Sequence, residues 1–456
     1  MESVEAQIAE WRAYVGRAPG VNGHDLDELE DHLRHQIAEL SAAGLSADEG
    51  FLIAVKRLGD VDGLSREYAR EHSGRLWKQL LQSGADEPER ASSGWVTTLA
   101  FAVAAAVAVQ VARLAAGFPD EEPTWLARNA SLLVLPFLAA YFAHRRELDA
   151  RHWAVTAAPF ALAALVVNVY PWGGGSGSEV FGTDSDTEAL AILGLPVALW
   201  FVVAYPYMGG TIRSHERRMD FVRFTGEWFI YYVLIALGGG VLMGLTAAIL
   251  DPAGIDVDQV AAWVLPSGAA GAVIVAAWLV ESKQRVIENM APVLTMLFTP
   301  LFAVMLACAA VVYAVTGLGG AFDRELLGVL DALLVVVLAL VLYGMSARDP
   351  STSAREWMDG IQLVAVVSAL VLDLMVLATM IARIGDLGFT PNRTAALGLN
   401  LVLLVNLAGA AWLSARFVTR RSTLHRLERW QTTYLPVFAL FAAAVVVVLP
   451  PLFGFD

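Results

Sequence analysis

One cysteine, Cys308, occurs in 456 residues, and only 17% of the chain is charged. A lone cysteine inside an apolar run excludes an intrachain disulfide and a thiolate metal cluster. The scarcity of charge accompanies 57% hydrophobic residues, against roughly 45–50% in soluble domains, and a mean hydropathy of +0.57. There is no Gly-x-x-x-x-Gly-Lys phosphate loop, His-Glu-x-x-His zinc motif or Gly-x-Ser-x-Gly nucleophile elbow. That argues against an ATPase or a conventional hydrolase, and the chain is read as non-enzymatic. All eight histidines lie outside the hydrophobic runs, so imidazole-held metal chemistry within a membrane is not expected, and neither is a cofactor. Gly173-Gly-Gly-Ser-Gly177 has no strand and helix after it, which makes it a flexible connection rather than a phosphate cradle.

What is present divides in two. Residues 1–94 hold 18 acidic and 10 basic side chains. Nucleic-acid binding needs clustered Lys and Arg, so this head is not expected to bind nucleic acid directly, whereas a basic protein partner is compatible with it. The first apolar stretch starts near Trp95, too far along for a cleaved signal peptide, and is read as a membrane anchor.

Within the head, a first helix is expected around Ala6 to Tyr14. Leu26, Leu29, Leu33, Ile37 and Leu40 recur at three- and four-residue spacing, one stripe of a second helix that Gly44 ends. Ser46-Ala-Asp-Glu49 fits a capping box that opens a helix to about Leu58, and 60–72 reads as one more. Residues 1–75 are therefore a small cytoplasmic helical domain and 76–94 a linker. His32 and His35 sit three apart beside Glu28 and Asp31, a spacing able to hold a divalent ion, but a solvated helix face explains them as well. Glu28-Leu-Glu-Asp-His-Leu-Arg34, Gly44-Leu-Ser46 and Ala54-Val-Lys-Arg-Leu-Gly-Asp60 resemble the helical prefix domain fused to bacterial permeases and regulatory membrane proteins. The resemblance implies a docking role toward a cytoplasmic protein, since such domains often occur beside regulators resembling the PadR family.

After the head, eleven apolar runs are long enough to cross a hydrocarbon core of about 17–25 residues: 95–117, 125–143, 153–172, 188–208, 226–249, 260–280, 290–317, 326–345, 358–383, 394–415 and 432–450. The fold class is all-α, a polytopic membrane protein in contact with the lipid bilayer. With the head inside, the cytoplasmic loops hold sixteen Lys and Arg and the opposite loops three, Arg324, Arg383 and Arg393. The positive-inside rule then makes the N-terminus cytoplasmic and puts the C-terminus outside, and the resemblance of the head implies a bacterial inner membrane. Trp95, Trp125, Trp153, Trp172, Trp228, Trp357 and Trp430 fall at span ends, as interfacial indoles do. Once Cys308 is replaced, a cysteine at Ser178 is expected to react with an impermeant thiol reagent in intact cells and one at Ser422 is not; the reverse pattern would overturn this orientation.

Gly240 and Gly244, and Ser267 and Gly271, mark expected helix contacts. Three consecutive glycines, Gly238 to Gly240, are a candidate helix break of the kind carriers use around a substrate. Prolines 136, 159, 196, 266 and 300 add candidate kinks. Between two late spans, Gly388-Phe-Thr-Pro-Asn-Arg393 resembles a Gly-x-Thr-Pro-x-Arg-like turn of an uncharacterised bacterial multi-pass family, and Phe221-Val-Arg-Phe-Thr-Gly-Glu227 is also similar to it. The family has no activity to transfer. Physically, Pro391 presets the turn while Thr390 and Asn392 can bond free helix-end groups.

The charges within or bordering spans carry the functional readings: Arg113, Arg128, Asp331, Asp373 and Arg383. A lipid-facing charge near a span centre costs at least about 2.5 kcal/mol, so each must face protein or water. Asp359 and Asp373 are close to four helical turns apart and share a face. Ion pairing among Arg113, Arg128, Asp331 and Arg383 is permitted by their depth. One reading makes Asp373 a proton or cation site and the outer arginines, with Thr390, Asn392 and Arg393 beside them, an anion or headgroup site; the other makes all of them a network that fixes helix positions. The leading functional reading is a signalling or regulatory protein whose head docks a cytoplasmic partner and whose membrane domain senses lipid, envelope state or a ligand. A secondary transporter and, more weakly, a lipid-modifying enzyme are the alternatives.

Overall fold

The computed structural model describes residues 4–15, 23–42, 48, 50–51, 53–55, 89–118, 124–173, 183, 185–250, 257–282, 290–316, 324–346 and 357–455. It comprises two compact units, Met1–Gly94 and Trp95–Asp456. In the first, α1 (Val4–Val15) and α2 (Gly23–Ala42) bring Ile8, Trp11, Leu33, Ile37 and Leu40 together with Phe51, Ala54 and Val55. Leu33, Ile37 and Leu40 of the α2 stripe read from the sequence are thus buried, and the side chains of Leu26 and Leu29 lie outside the described residues. The rest of the segments 43–58 and 60–72, and 76–88 of the linker, lie outside the described residues. Arg34 donates through both terminal nitrogens to Glu5, at 2.7 and 2.8 Å, and through Nε to Glu30 at 3.0 Å. Arg12 also bonds to Glu30, and this hydrogen bond, ahead of that from Arg34, holds the Glu30 carboxyl below its usual range. His32 and His35 are exposed on the same helix.

In the second unit, eleven helices among the described residues are long and apolar enough to span a membrane. They are α3 (Glu89–Ala115, spanning from Trp95), α4 (Thr124–Arg145), α5 (Ala150–Val169), α6 (Asp186–Tyr207), α7 (His215–Leu250), α8 (Val257–Ser282), α9 (Met290–Thr316), α10 (Arg324–Ser346), α11 (Trp357–Leu387), α12 (Pro391–Val418) and α13 (Leu424–Val447), with a last turn α14 (Leu449–Leu452). The protein is an integral, multi-pass, all-α membrane protein.

Two apolar cores organise the bundle. The first is built on α3 to α8 around Leu138, Phe142, Leu199, Phe224 and Ile274, and the second on α9 to α13 around Leu306, Leu334, Val366, Leu403 and Leu407. One helix belongs to both, because α13 contributes Val446 to the first core and Leu427 to the second. Glycines allow its close approach. A Cβ on Gly194 of α6 would stand 3.2 Å from Val446, and one on Gly409 of α12 would clash with the Trp430 ring at 2.3 Å.

The basic loops meet at one end. Arg146 donates to Glu281 at 3.1 Å, Arg218 to the Thr432 carbonyl at 3.0 Å and Arg223 to the Ser346 carbonyl. At the opposite end, Tyr170 packs on Phe455 with ring centroids 5.1 Å apart, and the Ser185 hydroxyl donates to the Phe455 carbonyl at 2.9 Å. Phe455 therefore sits at the end away from the basic loops, as an odd number of crossings requires.

Several boundaries differ from the hydropathy reading. α7 begins at His215 rather than near 226, α13 at Leu424 rather than 432, and α11 continues to Leu387, which puts Arg383 on the helix and not in the turn. Charged turns at these ends remain helical because tertiary contacts hold them, as His215 Nδ1 and Thr432 Oγ1 do at 2.9 Å. α7 runs unbroken through Gly238, Gly239 and Gly240. A Cβ at any of the three, or at Gly244, would meet nothing within 4 Å, so no break and no close helix contact forms there. Gly271 does face a neighbour, since a Cβ there would stand 3.6 Å from the Ala102 carbonyl, and Ser267 accepts from Gln110. Trp228 and Trp430 are half-buried against the two cores, donating to the Val273 and Asn406 carbonyls at 2.9 and 3.2 Å. Ser178 lies outside the described residues. Ser422 has a buried hydroxyl, so the exposed Arg421 beside it is the better labelling position.

Candidate functional site: a buried carboxylate pair

Asp373, Asp331 and Asn400 are buried polar side chains on three helices of the second core, which also bury Ser368 and Asn406. On α11 the buried positions Ala365, Ala369, Leu372, Val376 and Met380 repeat at helical spacing, and Asp373 falls among them with no exposed surface. On α10 Asp331, 9% exposed, lies among Leu327, Leu330 and Leu334. On α12 Asn400 is fully buried. The Asn400 side-chain nitrogen donates to Asp331 Oδ1 at 3.0 Å and to the Ala396 carbonyl at 2.8 Å. Asn400 Oδ1 and both Asp373 carboxylate oxygens accept nothing from any described group. Leu327 and Leu330, within about a turn of Asp331, pack with Val376 and Met380 of the Asp373 helix, so the two carboxyl groups share one apolar region.

Apolar side chains close the site on both sides. Leu327, Leu330, Val376 and Met380 pack together toward the end that holds Phe455, and Leu334, Ala369, Leu372 and Leu403 pack toward the basic end. An isolated carboxylate in such surroundings costs several kcal/mol unless a proton or a cation accompanies it. The donor set is all oxygen, which suits a proton or a small hard cation. Three unpaired oxygens beside Asp331 are fewer than the six to eight that Ca²⁺ takes. Among the described residues no three His, Cys, Asp or Glu side chains cluster for a metal ion.

The other candidate residues are not brought to this site. Arg128 pairs with Glu188 at 2.5 Å and lies 5.4 Å from the Trp172 ring centroid; its partner is an acid from the following outer segment and not Asp331. Arg113, 3% exposed, donates to the Ala262 carbonyl and stacks on Phe118. Arg393 donates to the Leu387 and Gly388 carbonyls at 3.0 and 2.9 Å, closing the end of α11. Thr390 is the N-cap of α12, accepting from the Arg393 backbone N–H at 3.4 Å, with Pro391 at the first helical position. Asn392 is half-buried in that first turn, and Arg383 is half-buried on α11. The Gly388–Arg393 turn thus joins and caps two helices, and Arg113, Arg128 and Arg393 each fasten a helix end.

Two things escaped the sequence reading. Asn400, the hydrogen-bond partner of Asp331, is one asparagine among several in apolar helices and carries no distinguishing pattern. Arg146 and Arg217, which with Arg223 and Glu227 line a cavity at the basic end, enter the sequence reading only through the charge count; Arg223 and Glu227, four residues apart in the Phe221–Glu227 stretch, carry the available signal. No protein-family model, curated protein or solved structure matches the chain.

Proposed function

We propose that the membrane domain is a secondary carrier coupled to a proton or a monovalent cation, that the basic end faces the cytoplasm, and that the acidic head is a regulatory docking element. The observation that supports the carrier reading is Asp373, fully buried with both oxygens unpartnered, beside Asp331 and Asn400. A purely structural network satisfies its members, because a half-satisfied buried network is worse than an apolar core. A coupling site keeps acceptor oxygens for its ion. The sensing role read from the sequence finds its support in the separate head, whose prefix-domain resemblance suggests a cytoplasmic protein partner; the carrier reading rests on the membrane domain alone. The basic end, gathering most of the arginines, is assigned to the cytoplasm by the positive-inside rule.

The carrier reading predicts charge movement without knowledge of the substrate. Proteoliposomes adsorbed on a solid-supported membrane should give a transient current on a Na⁺ or pH jump, kept after deletion of residues 1–75 and lost in Asp373→Asn. Wild-type protein silent to both jumps, or a variant with undiminished currents, would refute it.

A further inference from the structure

At the basic end, a cavity of about 650 Å³ opens between α4, α6, α7 and α8, with Arg146 and Arg217 at its rim, Arg223, Phe224 and Glu227 deeper, and Tyr207 along one wall. Its size falls within the 300–1,000 Å³ of small-molecule sites. Each of the three arginines is held by the protein through part of its fork. Arg146 Nη2 donates to Glu281 at 3.1 Å, and its guanidinium lies 5.4 Å from the Tyr207 ring centroid. Arg217 Nη1 donates to the Met208 carbonyl at 2.6 Å and to the Thr211 hydroxyl at 2.8 Å. Arg223 donates through Nε, at 2.7 Å, and Nη2 to the Ser346 carbonyl. Nε and Nη1 of Arg146, Nε and Nη2 of Arg217 and Nη1 of Arg223 remain without a hydrogen-bond partner among the described residues.

We propose that this cavity binds a phosphate ester whose remaining part carries hydroxyl or amine donors. Three pre-oriented guanidinium forks with spare N–H groups exceed what the two oxygens of a carboxylate can use and match the three or four oxygens of a phosphate. Asp220 lines the same cavity, and its carboxylate accepts from the donors of the ester's other portion. Small phosphate esters and phospholipid headgroups share this chemistry. The proposal is independent of the carboxylate pair, which lies in the other core.

The test is thermal unfolding of the full chain in nonionic detergent, titrated with sn-glycerol 3-phosphate or with phosphatidylglycerol in mixed micelles, at constant ionic strength. Arg146→Gln is the informative variant, because Glu281 keeps Arg145, whose Nε lies 3.4 Å away, and the Tyr141 hydroxyl at 3.1 Å. Arg145→Gln removes the same charge from the same partner outside the cavity lining and serves as the control. Saturable stabilisation is expected, with the half-saturating concentration raised about tenfold by Arg146→Gln, the loss of one charge-assisted hydrogen bond, and unchanged by Arg145→Gln. Stabilisation by glycerol 3-phosphate identifies a soluble ester, and stabilisation by the lipid alone identifies a headgroup. No saturable effect of either probe, or equal effects of the two variants, would overturn the proposal.

Discussion

Asp373→Asn is expected to be at least as stable as the wild type, while Asp331→Ala loses about 1–3 kcal/mol, the cost of leaving a buried donor unsatisfied. The two carboxylates are neighbours in the same dry site, and their opposite responses follow from their hydrogen bonds. Asp331 accepts from Asn400 at 3.0 Å, so removing it strands an amide donor and opens a small void. Asp331→Asn keeps an acceptor oxygen for that donor and should retain most of the stability. Asp373 has nothing to lose, since both its oxygens are already unpartnered, and the amide removes the cost of placing a charge there. Unfolding of each purified variant by SDS titration, across pH and Na⁺ concentration, gives the comparison. The wild type should respond to proton or Na⁺ concentration through this site and the Asp373→Asn variant should respond less. If Asp373→Asn were instead destabilised by several kcal/mol, the wild-type carboxylate would have to compensate a cationic protein group, and the carrier reading would fail.

The largest loss of stability is expected at the opposite end, from Arg128→Ala. Arg128 and Glu188 retain 12% and 8% side-chain exposure and meet at 2.5 Å, so truncating one leaves the other buried and uncompensated, at about 3–5 kcal/mol. Glu188 also stands in the first turn of α6, whose N-cap Ser185 accepts its backbone N–H at 3.2 Å, which favours the carboxylate through the helix dipole. The double substitution Arg128→Met with Glu188→Leu should recover most of the loss, because well-packed apolar residues often replace a buried pair without net cost. Thermal unfolding followed by circular dichroism on the two single variants and the double one settles the matter. Additive losses in the double variant would show that the two side chains act independently.

How much of this was legible in the sequence depends on the kind of interaction. Eleven spans follow from runs of apolar residues, because the bilayer sets one length and one polarity for all of them. The head helix at 23–42 follows from its stripe. The extra turns of α7 and α13 do not, since residues 215–223 and 424–431 are rich in charge and stay helical through contacts with other helices. Asp373 stood out because a charge in a span is costly wherever it lies, but only tertiary structure shows whether a partner relieves that cost. Arg128 carried the same signal, and the structure gives it Glu188. Gly238 to Gly240 illustrate the converse: backbone permissiveness makes a break possible, yet a continuous apolar stretch in lipid keeps its internal hydrogen bonds because no water is available to replace them.

The double membership of α13 has a consequence for the order in which the membrane domain can close. Val446 belongs to the core of α3 to α8 and Leu427 to that of α9 to α13, while Phe455, further along the chain, is gripped by Tyr170 and Ser185. Everything this segment fastens is upstream of it. During synthesis the two halves can each collect their own helices as they emerge, but the clasp between them arrives only with α13, so the gap that α13 fills stays open to neighbouring lipid or to a foreign helix until then.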